Sequence, residues 1–407
     1  MSLFQADGFI EKLTRVELKK HFQKKKIVKT LYLHGPLTMA EIMKGLDISS
    51  PTLQNLIDEL RKEEIIQILG SGSSKGGRRP NLYGLRKGAL YVLSINIGNY
   101  VTRMTLFDSN NKKVTNIREL PLELKNDISI INRIYEFAID MIKESGVEES
   151  RILGVGIDMP GLVESEKGIN HTILNFDRPL RELFAEKFNK PIVIENDTQS
   201  KAQAEFRFGK AIGQQNVLVL HIGWGIGLGM ILNGKPYKGA RGFSGEFAHI
   251  PMTDERGYLC NCGKRGCLET VTSGAALTRI ATEAIEKGEM TLIKEMAHNK
   301  IENITPDLIL KAAQKDDQFA ISIISKIGFD LGKGIASLVQ ILNPEMIILG
   351  GPLAKAGSYL TTSIEQALQQ YTFAIIREGM VLTTSELGNN ADLLGNVINV
   401  MENLFEN

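Results

Sequence analysis

The sequence confines its three cysteines, Cys260, Cys262 and Cys267, to eight residues inside one glycine-bearing stretch, 242–269, which reads GFSGEFAHIPMTDERGYLCNCGKRGCLE. A histidine, His249, stands a short loop upstream. Three thiolates and one imidazole are the donor set of a closed, four-coordinate structural zinc site, and Gly263 and Gly266 supply tight turns that let neighbouring thiols converge. Cysteines scattered through a reduced core would seldom fall together beside a histidine. The stretch therefore predicts a structural Zn2+ on His249, Cys260, Cys262 and Cys267. Glu246 and Glu269 bracket these ligands, so a metal here pins two carboxylates at fixed places.

At 407 residues, with 43% hydrophobic and 23% charged residues, the chain has the make-up of a soluble protein of two or three domains. No apolar run is long enough to span a bilayer, and the opening MSLFQADGFIEK lacks a basic-then-apolar leader pattern. Cysteines used as metal ligands suit a reducing cytoplasm, and no membrane partner is expected. The net charge of +1 hides an asymmetry. Residues 1–87 carry 16 Lys and Arg against 9 Asp and Glu, and the remainder carries 32 against 38. A basic front on an acidic body points to a polyanion partner for the front, although a solvated lysine-rich helix has the same charge.

Within that front, Ile27, Val28, Leu31 and Tyr32 form the apolar stripe of a helix over 19–34, which Gly35-Pro36 ends. Thr38 with Glu41 three residues on is a capping box for a second helix, whose inward face is Met39, Ile42, Met43 and Leu46. A turn at 47–49 leads to a third helix opening at Ser50-Pro51, with Leu53, Leu56, Ile57 and Leu60 inward. This is the helix-turn-helix plan. Ser49, Ser50, Thr52, Gln54 and Asn55 fall where a recognition helix meets base edges. Strands at 65–69 and 82–85 flank GSGSSKGGRRPN, a glycine-rich loop carrying Lys75, Arg78 and Arg79, which makes the front a winged helix whose wing lays arginines in a minor groove.

From residue 89 strands alternate with helices, an α/β signature. LSINIGNYVTRMTLFD from Leu93 and LVLHIGWGIGLGMILN from Leu218 run in parallel at an offset of 125, pairing Asn96 with His221, Gly98 with Gly223 and Asp108 with Asn233. Two strand–glycine turn–strand hairpins imply a duplicated, two-lobed body with a cleft. A strand over 191–195 runs into Asn196-Asp197 and then a helix. Asp197 there serves either as a ligand group at a strand end or as a plain helix cap.

These features together resemble the ROK family of repressors and sugar kinases. The resemblance covers most of the chain and rests on C-x-C-G-x-x-G-C-x-E at 260–269, GEFAH at 245–249 and END at 195–197; the GGRRP wing is similar to the repressor branch. It implies an actin-like, ribonuclease H-like two-lobe body with sugar in the cleft, zinc beneath it, and assembly into a homodimer or homotetramer. The implied divisions are a winged-helix domain at 1–87, a first lobe at 88–195 plus a C-terminal helix at about 385–407, and a second lobe with the zinc site at 196–384. Carried over by position, Asn196, Asp197, Glu246, His249 and Glu269 hold the sugar, with Ala248 where the family usually has glycine.

The nucleotide half departs from the pattern. Kinases of the family open with D-x-G-G-T, whereas this chain has Asn96-Ile97-Gly98-Asn99-Tyr100, and the family's G-T-G is Gly223-Trp224-Gly225. Losing a carboxylate and two hydroxyls removes groups that phosphoryl transfer needs, leaving Asp197 as a vestigial base. The expectation is a sugar-responsive regulator, without kinase activity, whose partners are an operator in double-stranded DNA and a sugar or sugar-phosphate effector. The alternative is an ATP-dependent sugar kinase.

Overall fold

In the computed structural model, which describes residues 14–46, 48–72, 79–254 and 256–403, the chain forms two compact units. The first is Met1–Ser200 with Asp392–Asn407, and the second is Lys201–Ala391.

The first unit begins with helix α1 (Arg15–His34), longer at its start than the apolar stripe implied because Thr14 and Glu17 form a capping box. Thr14 N donates to Glu17 Oε2 at 2.9 Å and Glu17 N to Thr14 Oγ1 at 3.4 Å. The same device at Thr38 and Glu41 opens α2 (Met39–Gly45), and Pro51 stands in the first turn of α3 (Ser50–Lys62). Strand β1 (Leu37–Thr38) joins β2 (Ile66–Ser71) and β3 (Asn81–Leu85) in an antiparallel sheet of order β1-β3-β2, completing a winged helix.

The body of this unit is a sheet of β4 (Tyr91–Ile97), β5 (Val101–Asp108), β6 (Arg118–Pro121), β7 (Ile152–Met159) and β10 (Ile192–Asn196), with a small hairpin of β8 (Val163–Glu164) and β9 (Ile169–Asn170). The order is β10-β7-β4-β5-β6, antiparallel across β4, β5 and β6 and parallel across β4, β7 and β10. Strand β7 is buried along its whole length, as its near-continuous apolar run requires in a parallel sheet covered on both sides. On β4, Leu93, Ile95 and Ile97 enter a core built with α4 (Ser129–Ser145) and α5 (Leu180–Phe188).

Val92 joins a different core. It packs in one continuous cluster with Ile27, Val28, Leu31, Leu53 and Leu60 of the winged helix and with Leu393, Val397, Val400 and Met401 of the C-terminal helix (Ala391–Asn403, α14 below). The winged-helix head therefore shares its apolar cluster with the body of the unit. Ser94 Oγ donates to the Leu393 carbonyl at 2.8 Å and Asn396 Nδ2 to the Ile95 carbonyl at 3.0 Å, which seats α14 on the sheet. At Gly395 a Cβ would overlap the Ser200 carbonyl oxygen of α6 (Asp197–Phe208), so only glycine permits this helix crossing.

The second unit repeats the sheet. Strands β11 (Val217–Ile222), β12 (Ile226–Leu232), β13 (Lys235–Pro236), β14 (Met346–Gly350) and β15 (Val381–Thr384) run in the order β13-β12-β11-β14-β15 with the same directions. The two hairpins read from the sequence, β4–β5 and β11–β12, occupy equivalent places. Helices α7 (Glu269–Thr272), α8 (Gly274–Glu286), α9 (Leu292–Met296), α10 (Pro306–Ala313), α11 (Gln318–Leu342), α12 (Ser358–Tyr371) and α13 (Ala374–Arg377) complete the unit, whose largest core is lined by β11, β12, β14, α8, α11 and α12.

Candidate functional site

The donor atoms of His249, Cys260, Cys262 and Cys267 all lie within 4.8 Å of one another. Cys262 and Cys267 sulfurs are 3.6 Å apart, and Cys260 Sγ is 3.5 Å from His249 Nδ1. Zn–S and Zn–N bonds of ~2.3 and ~2.0 Å at tetrahedral angles require separations of about 3.8 and 3.5 Å, so these two pairs fit a tetrahedral ion. Gly263 and Gly266, at φ of 85° and 77°, make the turns that bring the sulfurs together, a backbone region closed to most side chains. The loop is braced from outside: Arg279 of α8 stacks 3.5 Å over the Tyr258 ring, whose hydroxyl donates to Glu283. Burial pushes the Cys260 thiol up to about 12, and the neighbouring sulfurs reinforce that. A metal must therefore displace a tightly held proton.

The carboxylates bracket this cluster as the sequence predicts. Glu246 Oε2 is 3.7 Å from His249 Nε2, the ring nitrogen turned away from the thiols. Although 44% of its side chain is exposed, burial of the carboxyl group raises the Glu246 pKa; the Glu269 charge adds to this and His249 opposes it. Glu269 Oε2 accepts from Ile226 N at 3.2 Å, and its Oε1 is 3.8 Å from Cys260 Sγ. The structure thus brings Glu246, His249 and Glu269 into one patch beside the β11–β12 turn. Trp224, at the tip of that turn, is 58% exposed.

Asn196 and Asp197 lie in the first unit, half-buried at the end of β10. Asn196, rather than Asp197, caps α6: its Oδ1 accepts from Thr198 N at 2.9 Å and Gln199 N at 3.2 Å, and its Nδ2 donates to the Gly161 carbonyl at 3.2 Å. Asp197 is the first helical residue, 3.4 Å from Thr198 Oγ1. Glu195 behind them accepts from Ser165 Oγ at 2.5 Å and from Asn196 N at 3.0 Å.

Sequence reasoning missed a polar network in the other hairpin. Asn96 Nδ2 donates to the fully buried Asp158 at 2.6 Å, Arg103 Nη2 donates to Asn96 Oδ1 at 3.2 Å, and Arg103 also pairs with Asp392 of α14. Register alone sets Arg103 opposite Asn96 once the turn is placed. Nothing local points to Asp392, 289 residues further along.

In the head, Ser49, Ser50, Thr52 and Asn55 are exposed around α3. Gln54 is half-buried and donates to Asp58 at 2.9 Å, and Ser49 shares a 2.8 Å hydrogen bond with Thr52. Arg79 is exposed, whereas Lys75 and Arg78 lie outside the described residues. The lysine run of α1 is not a uniformly solvated cationic face. Lys24 is buried, 2.6 Å from Glu63 and 2.8 Å from Glu59, and Lys25 is buried as well.

Residues 92–403 match the model of the ROK family. The chain belongs to the ROK family. Residues 23–67 further match a winged helix-turn-helix DNA-binding model. A xylose repressor of Caldicellulosiruptor bescii is 29% identical over 95% of this chain and 97% of its own. A glucokinase of Halalkalibacterium halodurans is 31% identical over 78% of this chain and 97% of its own. Among solved structures, a ROK family transcriptional regulator homologous to the Escherichia coli MLC protein has the same fold, with a TM-score of 0.80, 24% identity, and coverage of 95% of this chain and 97% of that one. Among the described residues no helix is long and apolar enough to cross a membrane.

Proposed function

We propose that this ROK protein is a sugar-responsive, DNA-binding transcriptional repressor without kinase activity. The observation that carries it is the winged helix, whose exposed recognition face (Ser49, Ser50, Thr52, Asn55) sits on a core shared with α14. Residues 1–87 act as the DNA-binding domain of a homodimer or homotetramer in the cytoplasm, with Arg78 and Arg79 in the minor groove and the helix in the major groove. The effector is held by Glu246, His249 and Glu269, with Asn196 and Asp197 supplying further groups, through charge-assisted hydrogen bonds to hydroxyls. Zn2+ on His249 Nδ1 and the three sulfurs would fix the imidazole and the loop, so that Nε2 and the flanking carboxylates are aimed rather than mobile.

A route for the response runs inside the first unit. Asn196 and Asp197 open α6; Ser200, one turn on, accepts from Asn399 Nδ2 at 3.1 Å and abuts Gly395; and α14 continues into the core of the head. A sugar that favours one seating of α6 shifts α14 and, through it, the angle of the paired heads against half-sites about 34 Å apart.

The glucokinase likeness favours a kinase as the second reading. Against it, the place of the metal-organising carboxylate is held by Asn96, bonded to Asp158 and Arg103. Operator binding by fluorescence anisotropy, repeated with a sugar panel and alongside a coupled ADP-release assay, tests both. The expected outcome is sugar-dependent loss of DNA binding with no ADP release. Sustained sugar-dependent ADP release overturns the reading.

A further inference from the structure

The β11–β12 turn keeps an aromatic ring where an anion-binding loop would keep donors, and its mount is rigid. Gly223 N donates to the Gly225 carbonyl at 2.9 Å, Gly274 N to the Gly223 carbonyl at 2.9 Å, and Ala275 N to the Trp224 carbonyl at 3.1 Å. Ile226 N is taken by Glu269 Oε2 at 3.2 Å. The first amides of α8, which as a free helix N-terminus would attract a phosphate, are thus spent on the carbonyls of the turn. The charged group against the turn is a carboxylate: Glu269 lies against Gly225 and accepts from Ile226 N. A phosphate brought here meets like charge and spent donors.

What the turn does present is the sole tryptophan of the sequence, 58% exposed, on the residue before the Gly225 that Glu269 lies against. A large apolar ring left 58% exposed still has apolar area that a ligand could remove from water. The equivalent turn of the first unit carries Tyr100, 71% exposed. An exposed indole on a turn whose backbone is held by a carboxylate offers the two kinds of contact a sugar ring uses, a C–H face on an aromatic and hydroxyls donating to an acid.

We infer that Trp224 is a specificity-determining platform for a second carbohydrate ring, so that the effector is an uncharged sugar of at least two rings. The inference rests on the sugar-effector reading: the Glu246–His249–Glu269 patch takes the first ring, and the indole of the turn that Glu269 holds takes the next.

The test is calorimetric titration of the zinc-loaded full chain with matched pairs: xylose and xylobiose, glucose and cellobiose, N-acetylglucosamine and chitobiose, with glucose 6-phosphate and adenosine as further probes. In at least one pair the disaccharide binds about tenfold tighter than its monosaccharide, the scale of one aromatic stacking contact. Trp224→Ala removes that preference and leaves the monosaccharide affinity unchanged, whereas Trp224→Phe keeps most of it. Retained operator binding by each variant reports an intact fold. A preference that survives Trp224→Ala, an equal loss for both members of a pair, tighter binding of glucose 6-phosphate than glucose, or adenosine binding that depends on Trp224 overturns the platform. Monosaccharide binding with no disaccharide preference in any pair overturns the platform alone. Failure of every carbohydrate to bind overturns the sugar-effector reading and the platform with it.

Discussion

The two hairpins at the heads of the two sheets share strand order, directions and a glycine turn, yet they are fastened by different chemistry. In the first unit the fastening is side chain to side chain: Asn96, Asp158, Arg103 and Asp392 bind the hairpin to the C-terminal helix. In the second unit it is mostly backbone to backbone, through Gly223, Gly225, Gly274 and Ala275, with the Glu269 carboxylate on Ile226 N, beside a loop gathered by three thiols and an imidazole. One unit is held by charge and the other by main chain and a metal-ready cluster. The first should therefore answer to acid and to charge deletion, the second to chelators.

The largest expected effect breaks the second unit alone. Cys260→Ser, or removal of metal by chelation, lowers its melting transition by about 10 °C or more, seen by calorimetry together with metal analysis. Because burial holds the Cys260 thiol near 12 without metal, binding expels a proton, and zinc affinity rises with pH. A metal-free protein with an unchanged transition would remove the contrast. In the first unit, Arg103→Ala strips the counter-charge from Asp392, whose side chain is 5% exposed, and costs about 3 kcal/mol in denaturant unfolding. The chelator response of the second unit should not move.

A smaller effect is expected at the helix crossing. Gly395→Ala places a methyl group on the Ser200 carbonyl and costs roughly 2 kcal/mol. If α14 carries the effector signal, this variant also weakens sugar-dependent release of the operator more than it weakens operator binding itself. The smallest effect concerns His21 of α1, whose pKa is depressed from 6.5 by burial and then by Lys25 and Lys24. The unfolded chain takes up a proton more readily than the folded head does. Stability is thus complete above about pH 6.5 and falls as pH drops from there through the lower folded value. Melting curves between pH 7 and 5 should show that slope, and His21→Phe should flatten it.

Much of this was legible in the sequence because the responsible forces are local. The capping box at Thr38, Pro51 at a helix start and the sulfur spacing of 260–267 each act within a few residues, and the structure places them as read. The duplicated sheet was legible from two hairpins alone, since a strand–turn–strand pattern carries its own register. What escaped was long-range. Lys24 reads as a solvated cation until Glu59 and Glu63 arrive from another helix. Asn196 and Asp197 both suit a cap, and the carbonyl of Gly161 helps fix Asn196 in that role. Arg103 shows no purpose until a helix from the far end of the chain supplies its partner.

That far end has a consequence for biogenesis. Leu393, Val397, Val400 and Met401 line the same apolar cluster as Ile27, Leu31 and Leu53, so in a nascent polypeptide the head emerges before the residues that seat it. Until residues 393–401 have cleared the ribosome, the head exposes greasy surface. Translation itself then withholds a finished operator-reading module from any truncated copy.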